Sequence, residues 1–115
     1  MPGPRAERVL VVGLDCAAPR FVFGPEAFDL PHLRRLMAGG CWGRLRSSDP
    51  PITVPAWACM TSSRDPGELG CYGFRNRRDY SYDGMVTANA TAIRHPRVWD
   101  ILSRRGKKCV VLGVP

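Results

Sequence analysis

A six-residue apolar run, Val9-Leu10-Val11-Val12-Gly13-Leu14, is the feature that most constrains how this chain can fold. Continuous apolar, β-branched residues without polar alternation are typical of a strand covered on both faces, as in a parallel sheet. Asp15 follows the run directly. Because ligands collect at the carboxyl ends of strands in open α/β sheets, Asp15 is a candidate site residue, with a turn or capping aspartate as the alternative.

Helix signals follow the run at three places. A helical pattern begins at Pro31 and is closed by Gly39-Gly40. A second helix is predicted to begin just after Thr53, and a third opens at His95-Pro96 and is capped by Gly106.

Strand signals lie between and after these helices. Residues 41–46 and 107–115 are predicted strands, and a small hairpin is predicted near residues 80–84, inside a long loop over residues 64–91. The order of the elements predicts an α/β fold with a mostly parallel sheet.

Length and cysteine content exclude several classes of protein. At 115 residues the chain holds at most one domain. Its five cysteines form no CxxC pair, so we expect no zinc ribbon, and free thiols fit a reducing cytoplasm. No apolar stretch approaches the roughly 20 residues of a membrane span, and the first apolar run is too short for a signal peptide. We therefore expect a cytoplasmic protein without a membrane partner.

The net charge of +7 leaves three interpretations open: a solvated basic face, attraction to anionic substrates such as phosphate esters, or nucleic-acid binding. The third rests on a loop that interleaves basic and aromatic residues, as single-strand binders do: Arg75, Arg77 and Arg78 beside Tyr72, Phe74, Tyr80 and Tyr82. No helix-turn-helix, RNP or zinc-finger pattern accompanies this loop, so we do not expect nucleic acid as the main partner. A phosphate clamp or a solvated loop are the other interpretations of these arginines.

Thr53 is the second candidate site residue. At the N-terminus of a helix, backbone N–H groups and the helix dipole favour a nearby oxyanion. A hydroxyl at that place can attack phosphorus if a metal ion lowers its pKa, and a simple capping threonine is the alternative.

Four blocks occur in a fixed order along the chain: Val11–Asp15, Leu30–Gly40, Pro50–Trp57 and Asp65–Gly70. Together they resemble the type I phosphodiesterase/nucleotide pyrophosphatase branch of the alkaline phosphatase superfamily, and most closely its members described as predicted phosphohydrolases or phosphomutases. The resemblance covers residues 8 to 115. It implies an alkaline phosphatase-like, three-layer α/β sandwich, of which this chain forms part.

The resemblance also implies roles for four residues. Asp15 matches the aspartate that binds metal after the first strand, and Thr53 matches the nucleophile, which also contacts a metal. The N–H of Val54 is then expected to face the phosphoryl group, and Asn76 is the nearest candidate for an asparagine that contacts a phosphate oxygen. Members of the branch use two divalent metal ions, for which Zn²⁺ or Mn²⁺ is expected, and a phosphate ester as substrate.

The chain departs from the family in its metal ligands. The superfamily completes its two metal sites with further Asp and His residues, whereas this chain has only His32 and His95, neither at metal-ligand spacing to Asp15. We therefore expect residues 1–115 to be the amino-terminal part of one catalytic domain without its carboxyl-terminal metal-ligand half. Such a piece is expected to be inactive alone, with a complementing carboxyl-terminal chain as one candidate partner. The alternative function is a non-catalytic basic module that binds nucleic acid or another polyanion through the loop Arg75–Tyr82.

Overall fold

The computed structural model of the 115-residue chain describes residues 7–79 and 81–115. The chain divides into two compact units, Met1–Arg44 and Leu45–Pro115. Within the described ranges, no helix combines the length and the apolar character needed to cross a bilayer.

In its described part, residues 7–44, the first unit contains two short helices. Helix α1 spans Pro19–Phe23 and α2 spans Pro31–Gly39. Each begins on a proline, whose fixed φ suits the first helical turn and whose missing N–H removes no intrahelical bond there. The α2 helix confirms the prediction from the Pro31 pattern, whereas α1 lies outside the three helices that the sequence predicts.

Two aromatic pairs hold this first unit together. The ring centroids of Phe21 and Phe28 are 5.3 Å apart, and those of Phe23 and Trp42 are 4.9 Å apart. Stacked aromatic pairs contribute about 0.5–1.5 kcal/mol each beyond the area that they bury. The second pair therefore joins α1 to the segment that follows α2.

The apolar run at residues 9–14 does not form a strand, and neither do residues 41–46 or 107–115. Its large side chains are between 71% and 88% exposed. A strand of this composition is stable only between neighbouring strands and under covering helices, and a local apolar pattern cannot supply those partners. The mostly parallel sheet predicted from the sequence is thus not formed by the described residues, and the three-layer sandwich remains a prediction.

The second unit contains three helices, α3 over Thr53–Ser62, α4 over Pro66–Leu69 and α5 over Val98–Arg104. Helices α3 and α4 pack against each other. The buried residues of the described chain, Pro55 on α3, Pro66 on α4 and Cys71 just after α4, all belong to this part of the second unit.

A capping box fixes the start of α4. The Glu68 N–H donates to Asp65 Oδ1 at 2.9 Å, and the Asp65 N–H donates to Glu68 Oε2 at 3.4 Å. Each carboxylate thereby satisfies an N–H that has no carbonyl partner within the helix. This reciprocal pair sets the direction of the chain immediately after α3.

Helix α5 ends as its sequence predicts. Gly106 has a φ of +72°, its N–H donates to Ser103 O at 2.9 Å, and the Lys107 N–H donates to Leu102 O at 3.0 Å. These two bonds form a Schellman motif, in which a left-handed residue satisfies the last helical carbonyls. Glycine is the residue that adopts this backbone conformation without a Cβ clash.

A β-hairpin occupies the middle of the second unit. Strand β1 (Arg75–Arg77) pairs antiparallel with β2 (Met85–Thr87), and its central pair is Asn76 with Val86. The Arg78 N–H donates to Gly84 O at 3.2 Å where the turn begins. The predicted hairpin is confirmed, although Tyr80, which was part of that prediction, lies outside the described residues.

Candidate active site

Thr53 is the first residue of α3. Ile52 before it is extended, with φ −107° and ψ 146°, and its carbonyl accepts the Ala56 N–H at 3.0 Å. Ile52 rather than Thr53 is thus the capping residue, and the helix begins one residue earlier than predicted. Thr53 is half-buried. Its hydroxyl therefore belongs to the first helical turn, where the positive end of the helix dipole favours developing negative charge.

Val54 follows as the second helical residue and is also half-buried. N–H groups of the first turn lie beyond the reach of any intrahelical carbonyl, and Pro55 at the third position has no N–H to offer. The Val54 N–H is thus a donor suited to an oxygen atom bound beside Thr53.

A cavity of about 260 Å³ lies within the second unit, with Val54 in its wall. Helix α3 contributes Val54, Ala58 and Thr61, which lie on one helix face at spacings of four and three residues. Arg97 and Trp99, at the start of α5, supply part of another wall. The cavity therefore connects the first turn of α3 with the beginning of α5.

The Arg97 side chain is fixed by three contacts. Its guanidinium donates to Ala90 O at 2.6 Å, lies 3.9 Å from Asp100 Oδ2, and its carbon Cζ is 6.0 Å from the centroid of the Trp99 ring. The backbone N–H of Arg97 also donates to Asp100 Oδ2 at 2.8 Å, which caps α5. These contacts thus hold the Arg97 guanidinium in the cavity wall, and the Asp100 carboxylate partly neutralises its charge.

Asn76 is half-buried in β1, and its amide closes the loop before the strand. Oδ1 accepts the Tyr72 N–H at 2.7 Å, and Nδ2 donates to Gly73 O at 3.0 Å. An asparagine side chain that hydrogen-bonds nearby backbone is a common way to hold a turn. Nδ2 carries two hydrogens, so one bond to Gly73 leaves a second N–H for a further acceptor.

Asp15 belongs to the first unit, whereas Thr53, Val54 and Asn76 belong to the second. It is exposed and lies in a turn between the apolar run and α1. The next residue, Cys16, has a φ of +57°, and its carbonyl accepts the Ala18 N–H at 2.8 Å. The structure thus presents the carboxylate in an accessible turn directly after the apolar run.

Metal donors are sparse in the part of the chain that the structure covers. Its described residues contain no group of three or more His, Cys, Asp or Glu side chains that could hold an ion. His32 is exposed on α2, and His95 is half-buried ahead of α5. A carboxylate and a hydroxyl are oxygen donors of the kind that divalent cations accept, so Asp15 and Thr53 each have the chemistry of a metal ligand.

All five cysteines lie among the described residues, and each is a free thiol. Cys59 lies on α3, half-buried. Burial raises the pKa of its thiol, and the negative charges of Asp65 and of a Cys71 thiolate raise it further. Cys59 is consequently protonated at neutral pH and behaves as a small apolar residue in the contact between α3 and α4.

The chain belongs to the type I phosphodiesterase/nucleotide pyrophosphatase family, whose model matches residues 9–115. This confirms the resemblance found from the four sequence blocks and places the chain in a branch of the alkaline phosphatase superfamily. Members act on phosphate-ester or nucleotide substrates and are generally metal-dependent, and the family fold is α/β. No curated protein and no solved structure matches the chain.

The sequence did not point to the cavity beside Val54. Arg97 and Trp99 fall within the helix predicted to open at His95-Pro96, and neither was a candidate site residue. The available signal was the apolar face of α3, on which Val54, Ala58 and Thr61 share a side. A pattern on one helix indicates which residues face inward, but the opposite wall comes from a segment more than 30 residues later.

Proposed function

We propose that this chain takes part in the metal-dependent hydrolysis of phosphate mono- or diesters, with Thr53 as the nucleophile. The family match over residues 9–115 carries the proposal. The local structure around Thr53 supports it, because a half-buried hydroxyl at the first residue of a helix lies in a field that favours an attacking oxyanion.

In the proposed reaction Thr53 Oγ attacks phosphorus in line with the ester oxygen. A bond from phosphorus to the threonine oxygen forms while the bond to the leaving alcohol breaks, and the alcohol departs with the electron pair and takes up a proton. The Val54 N–H and the second Nδ2 hydrogen of Asn76 donate to phosphoryl oxygens. Water then attacks the phosphothreonine, which restores Thr53 and releases phosphate, or a phosphomonoester from a diester.

Two divalent ions, Zn²⁺ or Mn²⁺, are the proposed cofactors, with Asp15 and Thr53 among their ligands. Such ions lower the pKa of an attacking hydroxyl and neutralise charge on the phosphoryl group. Because one carboxylate and one hydroxyl hold an ion weakly, we propose low turnover for the 115-residue chain alone and higher turnover with a complementing carboxyl-terminal chain that adds Asp and His donors.

The same proposal extends to architecture and compartment. Residues 1–115 would form the amino-terminal part of one catalytic domain with the three-layer α/β sandwich of the superfamily. In that fold the apolar run at residues 9–14 becomes a central strand, which matches its composition. The five free thiols fit a reducing cytoplasm.

Phosphoryl labelling of Thr53 tests the proposal. The chain, and any longer product of the same locus, is incubated with p-nitrophenyl phosphate or bis(p-nitrophenyl) phosphate and Mn²⁺ or Zn²⁺. Release of p-nitrophenolate is recorded, and the acid-quenched protein is mapped by tandem mass spectrometry. We expect a phosphoryl group on Thr53, and a loss of at least about 10³-fold in turnover for Thr53→Ala.

Ser62→Ala is the matched control. Ser62 lies on the same helix, and its hydroxyl donates to Ala58 O at 2.7 Å, so the variant removes a hydroxyl from α3 without touching its first turn. It is expected to keep wild-type labelling. If Thr53→Ala and Ser62→Ala hydrolyse the ester at the same rate, or the label appears on another residue, Thr53 is not the nucleophile.

A further inference from the structure

The β1–β2 hairpin separates its residues onto two faces. Cross-strand partners in an antiparallel pair point to the same side, and residues two apart along a strand share that side. The register pairs Arg75 with Thr87 and Arg77 with Met85, so these four exposed residues form one face of the hairpin. Asn76, the half-buried residue that holds the preceding loop, lies on the other face. One face of the hairpin therefore carries the Asn76 side chain that bonds the preceding loop, and the other face exposes two arginines to solvent.

An exposed aromatic ring lies beside the arginine face. The Arg77 Cζ atom is 4.0 Å from the centroid of the Tyr82 ring, which is cation–π geometry, and Tyr82 is 84% exposed. The guanidinium thus fixes the ring while leaving most of it open to solvent. Tyr72 and Phe74, which precede β1, are also more than half exposed.

Backbone hydrogen bonds extend the hairpin beyond its strands and stabilise the backbone that carries the arginine face. The Ala88 N–H donates to Phe74 O at 2.8 Å at the open end, and the Arg78 N–H donates to Gly84 O at 3.2 Å at the turn. Two carboxylates, Asp79 and Asp83, lie in the turn. Arg75 and Arg77 are the two cationic side chains that the register places on this face.

We propose that this hairpin face binds single-stranded nucleic acid. Arg75 and Arg77 contact backbone phosphates and Tyr82 stacks on a base, the combination of basic and aromatic groups that single-strand sites use. The two arginines and the net charge of +7 favour a polyanion as the ligand. The exposed Tyr82 ring favours a nucleic acid among polyanions, because a base can stack on it. The proposal does not depend on Thr53 or on turnover.

Salt dependence tests the role of the two arginines. Binding of a fluorescein-labelled oligodeoxythymidine of about 12 nucleotides is followed by fluorescence anisotropy, with EDTA present so that no metal-dependent hydrolysis occurs. Two phosphate contacts predict a slope of about −1.4 for log K against log salt, or about a sevenfold loss of affinity between roughly 50 and 200 mM salt. Arg75→Gln with Arg77→Gln should reduce that slope by about 1.4.

Arg35→Gln with Arg94→Gln is the control, because it removes the same charge from two exposed arginines outside the hairpin. It should leave the slope unchanged. An equal change of slope in both double variants would show that net charge alone drives binding and would overturn the proposal. So would an absence of binding by the wild-type chain.

Tyr82 separates a nucleic acid from other polyanions. Tyr82→Ala should weaken binding at least about fivefold without changing the salt slope, whereas Tyr82→Phe keeps the ring and should bind like the wild type. The pair also controls for loss of the hydroxyl, since both variants lack it. Equal affinities for the two variants, or equal competition by inorganic polyphosphate or by a duplex of the same length, would overturn single-strand recognition.

Discussion

Replacing Asn76 by alanine is expected to destabilise the second unit. The side chain makes two backbone hydrogen bonds, from the Tyr72 N–H at 2.7 Å and to Gly73 O at 3.0 Å. A neutral hydrogen bond contributes about 0.5–1.5 kcal/mol net, so the loss of both should lower the free energy of unfolding by about 2 kcal/mol. With a denaturant slope of about 2 kcal/mol per molar urea, the unfolding midpoint should fall by about 1 M.

Urea unfolding followed by circular dichroism measures this effect. The variant Asn76→Asp separates the acceptor role of the side chain from its donor role. The aspartate keeps an acceptor for Tyr72 and places a carboxylate where Asn76 donates to Gly73, so it should be destabilising at pH 7. The part of this loss that comes from ionisation should diminish as the pH falls toward the ordinary carboxyl pKa of about 3.9 and be absent below it, because a protonated carboxyl can donate again. A midpoint shift below about 0.3 M for Asn76→Ala would refute the structural role of this amide.

Two smaller perturbations concern backbone conformation and ionisation. Gly106→Ala should lower the free energy of unfolding by about 1 kcal/mol, because φ is +72° there, as measured by urea unfolding. Ser81→Ala should raise the pKa of Asp79 toward 3.8 in an NMR titration, because hydrogen bonds from the Ser81 side chain and N–H lower that pKa in the folded chain. The sign follows from the lowered pKa: stabilisation by these bonds is present above pH 3.8 and is lost as the pH falls through the pKa of the folded state.

Gly39→Ala is the control for the glycine prediction. Gly39 ends α2, and a Cβ there would meet no atom within 4 Å, so alanine should stabilise by about 0.4–1 kcal/mol. Equal effects of Gly39→Ala and Gly106→Ala would contradict the argument from φ. A pKa of Asp79 that does not change in Ser81→Ala would show that the turn does not hold the carboxylate.

Local signals predicted part of the local structure and missed helices α1 and α4. Pro31 begins α2, Gly106 ends α5, and a hairpin pairs Arg75–Arg77 with Met85–Thr87, and these features depend largely on the preferences of single residues for particular backbone angles. The prediction for α3 missed its first residue by one, since Thr53 is a good capping residue but Ile52 takes that position. The sequence also identified Asp15 and Thr53 as candidates, and their catalytic roles remain proposals.

The sequence by itself determined the family, because four blocks of residues in order carry enough specificity without any structure. It also determined the start of α2 and the end of α5, because proline and glycine effects act over a few residues. Only the tertiary structure decided that Asn76 holds a loop and that Val54 shares a cavity with Arg97. It also placed Arg75 and Arg77 on one face of the hairpin, with the Tyr82 ring stacked against Arg77. The cavity depends on contacts between residues distant in sequence, and the arginine face depends on strand register. The Asn76 bonds reach only three and four residues back, but they depend on the folded conformation of the loop.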